Sequence, residues 1–545
     1  ASPAAAATAL AAAAALGGAG RRRGGRQGAA AARKRPAARA TAVAAPLVDE
    51  APAPTLEHHT TAPGASAAGS APAWRERHWF PVASLIELDP KRPTPVRIDG
   101  LNLVVWRVPP RDDAADTEEG DWRIFADACP HRLAPLSEGR IEPKTGCLQC
   151  AYHGWEFEAG GGCAKIPQTT EEKSKGMRAN PRSACSAYPV RTALNVLWVW
   201  LGEGPPQGDP GDIFEGTPME GALVVGTYTR DLPYGYDTLI ENLLDVSHVP
   251  FAHHGLQGSR DDARPVSMGQ PKLRESSEPG DLLTFDFEDH TMGMDRQATF
   301  HLRSPFFFYY QGNFTGGSTK EYEKFASRRD SSDTEGKGGT PFRLNVCCVP
   351  VSPGYSRVII MNARKPGQGD GNFFLQQLRA ILPKWVIHLP SNRFLDSDLV
   401  FLHYQERNLR QGADGAQSWQ DSYYMPAEAD RSIGSWRRWL TREGARCVAA
   451  DGGPLPPPIL SRSELLDRYG QHTAHCALCQ QGLQDLDLWQ RVLGAVGLFA
   501  LVLDRLAIGP TPLWLVAQVA AVVLIAAFQR LKQEFYFVDY EHYKS

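Results

Sequence analysis

The chain has 545 residues, with 58 Lys and Arg against 61 Asp and Glu, a formal net charge of −3. That length leaves room for two or three domains, and the balanced charge, with no long basic stripe in the folded part, argues against a nucleic-acid partner. No Gly-rich dinucleotide fingerprint follows any predicted strand, so a nicotinamide or flavin module of the chain's own is excluded and any electrons must come from a partner.

Residues 1–73 are a different material from the rest. Through Val48 they hold eight Lys or Arg and no Asp or Glu, among Ala and Gly. This composition predicts an organelle transit peptide that buries too little apolar surface to fold alone, although its scarcity of Ser departs from the usual plant pattern. A disordered tail with no address is the alternative. The Leu10–Leu16 stretch is too short to cross a bilayer.

Residues 74–212 alternate apolar and polar positions, as in Val104–Val108 and Leu197–Leu201, with Gly and Pro between the runs. A small all-β, antiparallel sandwich is expected. Inside it lie Cys129-Pro-His131-Arg132 and Cys150-Ala-Tyr-His153-Gly154. Two thiols and two imidazoles at this spacing predict a Rieske 2Fe-2S cluster, with one iron on the two Cys and the other on the two His. The same donors would also suit zinc, but Pro130, Arg132, Tyr152, Gly154 and Trp155 around the loops, and Pro167 as a cover, favour the cluster. Cys147 mimics a CxxC knuckle with Cys150, yet that pairing leaves both histidines unexplained.

A Gly- and Pro-rich stretch at Gly202–Asp212 precedes residues 213–470, which mix strands such as Phe306–Tyr310 and Arg357–Met361 with helical segments. An α+β domain with helices over an antiparallel sheet is expected, with Phe306–Tyr310 as sheet core and the polar Ser327–Gly339 as a surface loop. The segment from Glu241 to His253 offers two imidazoles and a carboxylate within thirteen residues. Mononuclear Fe(II) that activates dioxygen is held by two His and one carboxylate with positions left open. His248 and His253 suit the two nitrogen donors, with His254 as a substitute. Five residues advance about 500° along a helix, so Pro250 is expected to end the helix between them and turn the second ligand back.

Residues 471–487 contain Cys476-Ala-Leu-Cys479, and 488–530 contain two apolar stretches, Val492–Leu503 and Pro512–Phe528, around Gly509-Pro510. Each approaches bilayer-spanning length with help from its flanks. A transmembrane helical hairpin is predicted, with a buried hairpin of a soluble domain as the alternative and residues 531–545 as a tail. Arg491, Arg530 and Lys532 at one end, against Arg505 at the turn, favour the inner side for the bulk of the protein. Cys163, Cys185, Cys347, Cys348 and Cys447 form no disulfide framework and read as reduced.

Together these motifs resemble the Rieske non-haem iron oxygenases. His78-Trp79-Phe80-Pro81-Val82, Lys165–Gln168, Asp231–Tyr236, Leu395–Leu399 and the Cys476/Cys479 pair narrow the resemblance to a chloroplast branch. That branch contains pheophorbide a oxygenase, chlorophyllide a oxygenase, the protochlorophyllide-dependent translocon component and the Rieske subunit of the inner-envelope translocon. Asp231–His254 and Val351–Gly354 look most similar to the protochlorophyllide-dependent component. The resemblance implies a third iron ligand at Asp398, with Asp396 in reserve, and a bridging role for Asp245, which would link a Rieske histidine of one subunit to an iron histidine of its neighbour in a homotrimer. It further implies ferredoxin as donor, a tetrapyrrole substrate with dioxygen, and a chloroplast membrane, inner envelope or thylakoid, with the domains facing the stroma. Cys476 and Cys479 would then be a redox dithiol for thioredoxin, a metal site with His472 and His475, or neither. The rival to an enzyme is a redox-sensing Rieske subunit of the import translocon, and an intact iron triad is the feature that separates the two.

Overall fold

The computed structural model describes residues 74–110, 121–273, 281–291, 293–303, 305–317, 340–364, 382–411, 419–443, 459–506 and 512–542. The expected transit peptide, the Ser327–Gly339 loop, Gly509-Pro510 and Cys447 lie outside the described residues.

Two hairpins with tight turns, one near each end in sequence, shape the N-terminal region. Asp99 and Gly100 both have positive φ between strands Thr94–Ile98 and Leu101–Val108, and so do Leu194 and Asn195 between Val190–Ala193 and Val196–Trp200. Two positive-φ residues give the turn whose twist matches that of paired strands. Val196–Trp200 pairs with Trp79–Ser84 on one side and Val190–Ala193 on the other, and is buried on both faces. A second, four-stranded sheet runs Thr94–Ile98, Leu101–Val108, Asp121–Ala126, Ala187–Tyr188. A third, built from Arg140–Ile141, Leu148–Gln149, Glu156–Phe157 and Cys163–Lys165, carries the cysteine–histidine loops. Among the described residues the region is all-β apart from short helical turns and one helix, Glu171–Arg178.

The second region is built on an eight-stranded antiparallel sheet. Its order is Leu223–Leu232, Tyr355–Arg364, Thr340–Ser352, Phe307–Gly317, Met294–Arg303, Asp281–Thr291 and Ser267–Met268, with Lys272–Leu273 also on Asp281–Thr291. Met294–Arg303 shows the alternation that makes one face core. Helix α1 (Tyr236–Leu244) packs on strands Thr340–Ser352 and Tyr355–Arg364, followed by the single turn α2 (Val249–Ala252), the long α3 (His388–Gln411) and α4 (Arg431–Glu443). Buried Arg437 on α4 pairs with Asp237 at 2.8 Å and with Glu241, both on α1, and the Trp436 indole donates to the Asp237 carbonyl. Phe306, Phe307 and Phe308 are fully buried, as sheet core.

The two regions share one continuous hydrophobic core. Backbone N–H groups of Asp99 and Gly100 donate to the carbonyls of Pro350 and Val351, so an N-terminal hairpin tip sits on the eight-stranded sheet. Phe80 packs on Phe306 at 4.7 Å, and Phe214, just past the Gly- and Pro-rich stretch, packs on both Trp198 and Phe307. Burial of such rings stabilises by roughly 1.5–3 kcal/mol each, so the regions are docked rather than loosely joined.

Two C-terminal helices, α5 (Ala477–Arg505) and α6 (Pro512–Gln533), pack against each other. Both contain stretches long and apolar enough to cross a membrane, and their apolar windows are only 11% buried. Helix α5 begins immediately after Cys476, so the CxxC segment continues into the apolar helix. Its lower part buries Cys479, Leu483 and Leu486, while Leu488, Val496, Leu498 and Phe499 stay exposed. Exposure of so much apolar surface weighs against a buried soluble hairpin. At the base, Lys532 pairs with Asp487, and the Gln490 amide donates to the Ile525 carbonyl.

Candidate active site and metal-binding clusters

Each cysteine–histidine loop closes on itself. The Cys129 amide donates to the Ala134 carbonyl and Leu133 returns to Cys129, while the Cys150 amide donates to Trp155 and Gly154 returns to Cys150. Gly154 has φ +71, and a Cβ there would lie 3.1 Å from Pro167 Cγ, so Pro167 covers the second loop. Cys129 and Cys150 are buried. His131 is exposed and His153 half-buried, their ring centroids 4.5 Å apart, with His131 stacked on Trp155 at 4.8 Å. Sulfur donors inward and imidazoles outward suit a cluster whose two irons face different environments.

The second site forms where α1 ends. Helix α1 stops at Leu244, Asp245 caps it, and His248 and His253 flank the turn Val249–Ala252. Pro250 opens this turn rather than ending a helix, as sequence reasoning had expected, because a proline in a first turn removes only an N–H that has no partner there. His248 Nε2 and His253 Nε2 are 3.2 Å apart, and His253 Nε2 is 3.4 Å from Asp398 Oδ2. Bonds of ~2.0–2.2 Å to a shared ion separate neighbouring donors by about 3 Å, so the three donors suit one metal with the remaining positions open.

The nitrogen positions are fixed from behind. His253 Nδ1 donates to Ser397 Oγ at 2.7 Å, and that hydroxyl donates to the Phe394 carbonyl, which leaves Nε2 its lone pair. His253 also stacks on Phe394 at 4.0 Å. Behind His248, Nδ1 stands 3.5 Å from Asp245 Oδ2, while Asp245 Oδ1 accepts from the Ser247 amide and hydroxyl. Burial pushes the Asp398 carboxyl up to about 6, opposed by His248 and by a hydrogen bond from Asn242. Burial, then His248 and His542, lower His253 to about 3. A neutral imidazole and a carboxyl short of a counter-charge are what an added cation would satisfy.

Asp396, the reserve ligand, does other work. It is fully buried between Arg230 and Arg468 at 2.7 Å each, and Arg468 continues to Glu534 at 2.7 Å. His254 accepts the Arg260 amide at 3.1 Å and stands outside the three-donor group. Sequence reasoning missed Asn242, Ser397 and Phe394, whose roles depend on spatial partners. It also missed the C-terminal tail, where His542 Nε2 donates to the Ser397 carbonyl at 2.8 Å and the Tyr540 hydroxyl donates to the Ala252 carbonyl at 3.4 Å.

A second buried donor group joins His388, His472, Cys476 and Cys479, with all four donor atoms within 4.8 Å of one another. His475, expected beside His472, is exposed and stands outside this group. The tight turn Tyr469–Thr473 aims His472 inward instead, and His388 from the start of α3 takes the fourth place. Cys476 and Cys479 are buried, so a thioredoxin would need this cover to open.

A family model of the Rieske 2Fe-2S domain matches residues 78–187, and one described as pheophorbide a oxygenase matches 307–415. The chain is 33% identical to the chloroplastic pheophorbide a oxygenase of Oryza sativa subsp. japonica, over 88% of this chain and 87% of that one. It is 30% identical to flavonoid 8-hydroxylase 2 of Ocimum basilicum, covering 86% of each. To protochlorophyllide-dependent translocon component 52 of Arabidopsis thaliana it is 32% identical, over 76% of this chain and 75% of that one. Identity therefore does not separate the protochlorophyllide-dependent component from pheophorbide a oxygenase.

Proposed function

The chain belongs to the chloroplast family of Rieske oxygenases that includes pheophorbide a oxygenase, and from that premise we propose that it inserts oxygen from dioxygen into a chlorophyll-derived tetrapyrrole. It is an oxidoreductase with a Rieske 2Fe-2S domain and an oxygenase domain for mononuclear iron. The observation that carries the substrate-oxidising reading is the three-donor group of His248, His253 and Asp398, which leaves coordination positions open. When bound, the cluster supplies single electrons and the iron activates dioxygen. In this reading Cys129, Cys150, His131 and His153 hold the cluster. Ser397 keeps the proton on His253 Nδ1, and Asp245 takes the same part for His248.

Asp245 is one-quarter exposed at its side chain, which leaves it reachable by an imidazole of a second copy in a homotrimer. Reduced ferredoxin is the donor that resemblance to the family implies. The α5–α6 hairpin would sit in the inner envelope or thylakoid, with Arg491, Arg530 and Lys532 toward the stroma and Arg505 at the far turn.

Iron-replete, reduced protein should transfer 18O from labelled dioxygen to chlorophyllide, protochlorophyllide or pheophorbide a, read by mass spectrometry. Absence of oxygen consumption with all three would overturn the proposal. The match to flavonoid 8-hydroxylase 2 over most of both chains supports a second reading, in which only a flavonoid acquires the label. A redox-sensing translocon subunit would instead bind import components in a manner indifferent to His248→Ala, without oxygenating either class.

A further inference from the structure

We propose that His388, His472, Cys476 and Cys479 form a closed, structural zinc site that fastens the C-terminal hairpin to the catalytic domain. The donors come from three elements: His388 is the first residue of α3, His472 lies in the turn Tyr469–Thr473, and the two cysteines bracket the start of α5. All four residues are buried, at 0–3% exposure. His388 Nδ1 is 3.0 Å from His472 Nε2, 3.4 Å from Cys479 Sγ and 3.6 Å from Cys476 Sγ, and His472 Nε2 is 3.2 Å from Cys479 Sγ. Tetrahedral zinc with Zn–N of ~2.0–2.1 Å and Zn–S of ~2.3 Å places its donors about 3.3–3.8 Å apart. The group is thus already near the size of a single coordination shell, too tight for a cluster of two irons between sulfurs and nitrogens.

The outer partner agrees. His472 Nδ1 donates to the Thr229 carbonyl, so its Nε2 faces the other donors with a free lone pair. Charge agrees as well, since two thiolates and two neutral imidazoles around Zn2+ sum to zero and can be buried without a counter-ion. Loading breaks two S–H bonds, forms two Zn–S bonds and releases two protons to solvent. With four protein donors no position stays open for substrate, which marks the site as structural.

Its location gives it a mechanical role. Trp385, Leu483, Leu486, Phe528 and Phe535 pack around the cysteines, joining the base of both apolar helices to the start of α3. Asp398 lies on α3 ten positions after His388, about 15 Å along the helix. The zinc would hold both the membrane hairpin and the helix that supplies the carboxylate.

The test uses untagged full-length protein in detergent, purified without chelator and measured by inductively coupled plasma mass spectrometry. About one zinc per chain is expected beside the iron, falling to background in Cys479→Ser and in His388→Ala while the Rieske EPR signal persists. Should these variants fail to accumulate, the wild-type chain still decides. Stripped and reloaded with Co2+, it should develop thiolate-to-cobalt charge transfer and tetrahedral absorption, bleached by equimolar Zn2+. A protein that neither carries zinc, takes it up nor develops the cobalt spectrum overturns the proposal and leaves Cys476 and Cys479 a plain dithiol. Zinc retained in full by both variants overturns it equally.

Discussion

The two candidate iron sites are built in opposite ways. The Rieske loops gather four donors from two turns close in sequence and leave His131 exposed, whereas the oxygenase site joins residues from α1–α2 and α3 and buries His253 and Asp398 almost completely. The difference follows from what each must do. A cluster charged by a separate donor protein needs one edge near the surface, and the exposed His131 provides it. Dioxygen chemistry needs its ligands shielded and oriented, so the second site is walled by Phe394, Ser397 and the C-terminal tail.

The largest effects should come from breaking one site without the other. Asp398→Asn or His248→Ala is expected to abolish substrate oxygenation and reduce iron from about three to about two per chain, because the Rieske cluster keeps its two. Iron analysis and EPR of the dithionite-reduced protein, with and without nitric oxide, read both centres at once. A Rieske signal that collapses together with the nitrosyl signal would show that the two sites are not built independently.

Asp396→Asn should act on stability instead, two residues away. Removing one partner from a buried ion network leaves uncompensated charge, here on Arg230, since Arg468 keeps Glu534, at about 3–5 kcal/mol. The expected signature is a lower midpoint in denaturant with iron still bound in the protein that remains folded. If Asp396→Asn lost the mononuclear iron at unchanged stability while Asp398→Asn kept it, the assignment of the two carboxylates would have to be exchanged.

Asp245→Asn should be milder, because Asp245 stands behind a ligand rather than being one. Outer partners of metal-bound histidines typically contribute 10–100-fold, so a fall of about that size in turnover is expected, with iron content largely kept. Stopped-flow oxidation of the reduced Rieske cluster would locate the loss. Slowed oxidation supports passage of electrons past Asp245, and an unchanged rate confines the residue to orienting His248.

Legibility in the sequence tracks how local each feature is. The Rieske donors could be read because each loop is a short turn punctuated by Pro130 or Gly154, and His248 and His253 because they lie five residues apart. Asp398 came only from family resemblance, since nothing in the sequence distinguishes it from Asp396. Only the packing of Arg230 and Arg468 around Asp396 separates them. His388 escaped notice because its partners lie 84 to 91 positions away in the chain, and no periodicity signals a pairing across that distance. The alternation of the strands predicted the sheets, but not that the Asp99–Gly100 turn would sit on Pro350 and Val351. Nor did the tail's composition show that it folds back over the active site.

Ser397→Ala should give the smallest effect and the sharpest view of how burial shapes the oxygenase site. The hydroxyl accepts from His253 Nδ1 and donates to Phe394, so its loss leaves a buried N–H without that partner and removes the preference that keeps Nε2 free. The unpaired donor costs about 1–3 kcal/mol of stability. The iron dissociation constant should rise about tenfold, near the lower end for outer-partner changes, measured by competition with a chelator. The Rieske spectrum should not move, because neither loop touches Ser397. An unchanged iron affinity would mean that stacking on Phe394, rather than the hydroxyl, orients His253, and Phe394→Leu would then carry the tenfold loss.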